Sequence, residues 1–72
     1  MMEPAEIFQL IVKADEKIKY ASATKGDVRA KQAAELLAQA KLEAQAIGNE
    51  ALVQQAEVRL KDLDALLGGS GS

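Results

Sequence analysis

The chain contains no cysteine, no histidine and no tryptophan, and only one phenylalanine, one tyrosine and one proline. Without cysteine there is no disulfide framework and no thiolate chemistry. Without histidine the commonest metal ligand and the commonest general base are both missing. No stretch approaches the ~20 apolar residues needed to span a bilayer. Charge of one sign is also lacking: nine basic against eleven acidic residues leave a net −2. Such a balance gives no attraction to nucleic acid or to an anionic membrane. Met1-Met2-Glu3-Pro4 shows neither the charged nor the apolar region of a signal peptide. The composition therefore suits a cytoplasmic protein.

What remains is a chain of 72 residues, nearly half of them hydrophobic and rich in alanine and leucine. A domain this short buries only ~60% of its unfolded surface. Its single core supplies ~3–5 kcal/mol, so close helix packing or self-association has to supplement it.

Apolar residues recur at three- and four-residue steps, the signature of amphipathic helices. Ile7, Ile11, Ala14, Ile18 and Ala21 form the first stripe, predicting a helix over about 4–22 with Pro4 at its first position. Gly26 breaks this run, and Thr24 or Asp27 can cap the next helix. The second helix spans about 27–47. Ala30, Ala33, Leu37, Ala40, Ala44 and Ile47 point inward, with Ala34 and Leu36 at the margins. Gly48 suits the left-handed position that closes this helix, and Asn49 suits the N-cap of the third. The third helix covers about 50–67, with Val53, Ala56, Leu60, Leu63 and Leu67 in its stripe and Leu52 and Leu66 alongside.

Three helices of similar length joined by short turns predict an all-α, antiparallel up-down-up three-helix bundle over 1–67. The alanine-rich second helix is the expected centre, because small side chains allow two neighbours to approach. Gly68-Gly69-Ser70-Gly71-Ser72 has the composition of a flexible linker, and 68–72 is set apart from the fold as a tail. Together with the doubled methionine, this tail points to an engineered or designed chain.

The stretch from Gln32 to Leu60 resembles the tetratricopeptide repeat, in the variant found in tandem arrays of bacterial regulators. Ala33, Leu37, Ala40, Ala44, Ile47, Gly48 and Asn49 fall on the end of that repeat's second helix, and Ala56 and Leu60 on the helix that follows. The chain departs from the pattern in its longer turn from Thr24 to Asp27 and in lacking a closing proline. The resemblance implies a tetratricopeptide-like hairpin plus one solvating helix. It also implies a peptide-binding groove between the first and third helices. Repeats of this kind bury their faces by stacking, so a lone unit should be capped or should find partners.

Candidate chemistry is sparse. Ser22, Thr24 and Tyr20 carry hydroxyls, but no histidine is present to activate them. Asp15-Glu16 and the Asp62/Asp64 pair point to different sides of a helix and read as solvated charges. Glu57 and Lys61 are spaced for a four-residue ion pair, and Lys13 and Lys17 for repulsion. Lys13, Lys17, Lys19, Lys25, Arg29 and Lys31 cluster in the first half, yet Asp15, Glu16 and Asp27 reduce that span to a net +3. With Tyr20 as the one aromatic nearby, the span reads as a solvated basic end and not as a nucleic-acid surface. No cofactor, metal or catalytic residue is expected.

The informative residues are apolar and lie off the core stripe. At 100° per residue, Phe8 and Val12 fall about 100–140° from the Ile7/Ile11/Ile18 line. Leu42 and Ala46 similarly leave the Leu37/Ala44 line, and Val58 sits nearly opposite Ala56. Phe8, Val12, Leu42 and Ala46 are accordingly the candidate interface. The expected partner is a second copy, as a homodimer or higher homo-oligomer, with a peptide or other protein as the alternative. Helix 1 combines lysines with Phe8 and isoleucines as a membrane-surface helix would, but the net negative charge and the folded bundle argue against that partner.

Overall fold

The structure is a computed structural model. It describes residues 2–24 and 27–67, and the side chains among them except those of 21–24, 27, 66 and 67. Three helices follow in order: α1 (Pro4–Thr24), α2 (Asp27–Ala46) and α3 (Glu50–Leu67). No strand occurs among the described residues. α1 runs two residues beyond the expected end at 22, because nothing before Gly26 breaks a helix. α2 stops one residue short of the expected 47, because Ile47 is already part of the turn.

The starts of α1 and α3 each have a cap. The Glu3 N–H donates to Glu6 Oε1 at 2.9 Å, and the Ile7 N–H donates to the Glu3 carbonyl at 3.0 Å. Glu3 is therefore the N-cap of α1. Pro4 takes the first helical position, where its missing N–H is of no consequence. Gly26, and the capping role considered for the side chains of Thr24 and Asp27, lie outside the described residues.

The chain runs up, down and up. Side chains near the end of α1 meet the start of α2, as in the Lys17–Gln32 contact, and Lys41 of α2 meets Glu57 of α3. Asp15 of α1 reaches Arg59 of α3, which runs parallel to α1. α1 and α3 both lie against α2 and touch each other far less. The bundle is thus open on one side, a slab of 34 × 23 × 14 Å.

The core explains why α2 is central. Its buried residues are Ala30, Ala33, Leu37, Ala40 and Ala44, four of the five being alanine. α1 supplies Ile7, Ile11 and Ala14, and α3 supplies Leu52, Ala56 and Leu63. Large side chains come mainly from the flanking helices and fill space over the alanines of α2. Such alternation of large and small residues brings packing toward interior density. The α3 stripe is turned slightly from the expected one: Leu52 is buried, while Val53 and Leu60 are half-buried at the edge. That rotation follows from α3 facing both α1 and α2 and not a single neighbour. No polar side chain is buried among the described residues, so the fold rests on apolar packing and backbone hydrogen bonds.

Candidate interaction surface

The α2–α3 junction is built from two residues. Gly48 has φ of 70°, the left-handed region that glycine enters without a Cβ penalty. Its N–H donates to the Gln45 carbonyl at 3.1 Å, and the Asn49 N–H donates to the Ala44 carbonyl at 2.9 Å. This is the paired bonding of a Schellman helix end. Asn49 then begins the next helix. Its Oδ1 accepts from the Leu52 N–H at 3.2 Å, and its carbonyl accepts from the Val53 N–H at 3.1 Å. One residue therefore ends α2 and caps α3, and the junction fixes how α3 lies against α2.

Along that α2–α3 seam runs an open groove of about 720 Å³. Ala34, Leu60 and Leu63 give it an apolar base, and Lys41 contributes from α2. The α3 wall carries, in chain order, Gln54, Glu57, Val58, Lys61 and Asp64. Val58 is 57% exposed. Lys41 Nζ and Glu57 Oε2 bridge the seam at 3.2 Å. The spacing of Glu57 and Lys61 suggested an ion pair within α3. Glu57 pairs across the seam instead, and Lys61 and Asp64 make no ion pair among the described residues. A pair within one helix contributes only about 0.2–0.5 kcal/mol, so a lysine on the neighbouring helix readily displaces it.

The four candidate interface residues fall on two separate surfaces. Phe8 (44% exposed) and half-buried Val12 stand one turn apart on α1. Seven residues apart in a helix is a rotation of about 20°, so Phe8 shares the flank of Asp15, which reaches α3. Leu42 (66% exposed) and exposed Ala46 lie on the side of α2 turned away from both neighbours. The structure brings Phe8 to Val12 and Leu42 to Ala46, but does not join the two pairs. Val28, Tyr20 and Val58 are exposed as well. Of these, Val58 was legible as the residue opposite Ala56. Its place in a groove was not, because that depends on how α3 is turned against α2.

The basic end is a shallow site of about 260 Å³ formed by Lys13, Glu16, Lys17, Tyr20 and Arg29. The Arg29 guanidinium lies 5.8 Å from the centre of the Tyr20 ring, a cation–π distance. Lys17 donates to Gln32 Oε1 at 3.2 Å, which directs it away from the repulsion its spacing from Lys13 implied. Among the described residues no three His, Cys, Asp or Glu side chains gather as a metal ion requires, and no helix is long and apolar enough to cross a membrane.

Compared with protein-family models, with curated proteins and with solved structures, the chain matches none. The fold and its surfaces therefore carry the functional reading alone.

Proposed function

We propose that the protein is a non-catalytic helical interaction module that self-associates through apolar helix surface. The observation that supports this most is the exposure of large apolar side chains, above all Leu42, Val58 and Phe8, on a domain with a small core. They stand on separate faces, and a face with exposed apolar groups is what a partner can cover. Association would also supply the stability that a chain of this length otherwise lacks.

The test is the solution mass by light scattering behind size exclusion, over a concentration series. A stable multiple of 7.7 kDa is expected. Phe8→Glu and Leu42→Glu, checked for helicity by circular dichroism, then report which face takes part. If Phe8→Glu unfolds the chain, Phe8 belongs to the core and not to an interface.

A second reading is a tetratricopeptide-like module that binds a peptide as a monomer. It draws support from the way α1 and α3 lie side by side on α2 with an open seam between them. Against it, the Asp15–Arg59 ion pair crosses the seam a peptide would enter. A strictly monomeric chain that enriches peptides from a display library would put this reading ahead.

A further inference from the structure

We propose that the occupant of the α2–α3 groove is a second copy of this chain, docked with its α3 antiparallel to the first about a two-fold axis beside Val58. The inference rests on the self-association reading and assigns it a surface and a register.

The argument is the order of charges on the groove wall. Along α3 the exposed residues run Gln54, Glu57, Val58, Lys61, Asp64. A two-fold axis between antiparallel helices pairs residues whose numbers have a constant sum, because the same patch serves both partners. An axis at position 59 brings Glu57 of each copy to Lys61 of the other, and Gln54 to Asp64. Two ion pairs and two amide–carboxylate contacts then form symmetrically. The two Val58 side chains meet near the axis, covering the largest exposed apolar group of the groove. Within one copy, Lys61 and Asp64 have no ion-pair partner among the described residues, and Glu57 meets Lys41 through Oε2 alone. The register thus engages Lys61 and Asp64, which have no ion-pair partner within one copy, and has Glu57 share its carboxylate between Lys41 and the partner's Lys61.

Neither of the other apolar surfaces carries a matching pattern. The flank of Phe8 and Val12 holds Asp15, but an axis between Phe8 and Val12 sets it against Ala5, which carries no charge. The outer face of α2 has Lys31, Glu35 and Gln39 in line with Leu42, but Lys31 and Glu35 are paired only by an axis at position 33, far from Leu42.

The size of the surface sets the strength. An 18-residue helix is about 27 Å long, and two packed helices are about 18–20 Å wide. Such a face removes about 500 Å² per partner, near the lower limit for a specific interface. The dimer is therefore weak and concentration-dependent.

The experiment uses two charge-reversal variants of the full chain, Lys61→Glu and Glu57→Lys, each confirmed as folded by circular dichroism. Sedimentation equilibrium is run from about 10 μM to about 1 mM, the range suited to weak association. The parent chain is expected to move from monomer to dimer across that range. Each variant alone sets like charges against each other twice and raises Kd about tenfold or more. An equimolar mixture of the two restores opposite charges at both pairs and recovers the parental dimer. A parent that dimerises while both variants dimerise equally well overturns the groove and its register but leaves self-association standing. A parent that is monomeric throughout overturns both. Variants that weaken association without recovery on mixing also overturn the two-fold register.

Discussion

Asp15 on α1 and Arg59 on α3 meet at 2.7 Å, Nε to Oδ1, across the seam where these two helices otherwise scarcely touch. The same guanidinium donates from Nη1 to the Gln55 carbonyl at 3.0 Å, which anchors the arginine to its own helix and aims it at α1. Both side chains are partly exposed, so water screens the attraction. A double-mutant cycle with Asp15→Ala and Arg59→Ala should give a coupling of about 0.2–1 kcal/mol, falling with added salt. A coupling above about 2 kcal/mol would mean that the pair organises the bundle and does not merely close its edge.

Gly48 tests backbone strain without steric interference. A Cβ built on it meets nothing within 4 Å, so Gly48→Ala costs only the left-handed conformation itself. That is about 1–2 kcal/mol, equivalent to a fall in Tm of roughly 4–8 °C per kcal/mol for a domain of this size. Gly48→Asn should cost less, since asparagine tolerates this region. Thermal melts of both variants check the order, and an alanine variant as stable as the parent would mean that the turn can relax.

Asn49 carries a cap that can be exchanged. Asn49→Ala removes the acceptor for the Leu52 N–H and should destabilise by about 1 kcal/mol. Asn49→Asp and Asn49→Ser keep an acceptor and should stay close to the parent in urea denaturation. Equal loss in all three would show that the amide nitrogen, and not Oδ1, is the useful end.

The alanines of α2 act as spacers, and their neighbours serve as controls. Ala40 is fully buried, so Ala40→Leu must push α1 or α3 away, at about 1–3 kcal/mol. Ala38 is exposed, and Ala38→Leu should be near neutral. Leu37→Ala removes the one large buried side chain of α2 and should cost about 2–5 kcal/mol, enough to unfold most of a domain this size at room temperature. Helicity by circular dichroism orders all three.

Helix positions, the central place of α2 and the buried faces were legible because three-to-four spacing and small-residue placement act locally and repeat often. Ile7, Ile11, Leu37 and Leu63 all occupy the buried positions their spacing requires. What was not legible depends on rotation about the helix axis. Leu52 rather than Val53 became buried, because α3 turns to satisfy two neighbours at once. Glu57 found Lys41, which lies on the neighbouring helix and sixteen residues away in the chain, and no local rule points to such a partner. Periodicity places apolar residues on one helix at a time, so the division of Phe8/Val12 and Leu42/Ala46 between two faces, and the groove beside Val58, depend on how the helices lie side by side.

The shared duty of Asn49 bears on how the chain moves. The Asn49 N–H closes α2 on the Ala44 carbonyl, while its side chain and carbonyl hold the first turn of α3. Neither terminus can fray without releasing the other. Amide hydrogens at Asn49, Leu52 and Val53 should then exchange with solvent at a common opening rate instead of in two independent events. With its loop closed by two residues, the α2–α3 hairpin forms almost entirely from contacts near in sequence. Contacts of that kind form on the microsecond-to-millisecond scale.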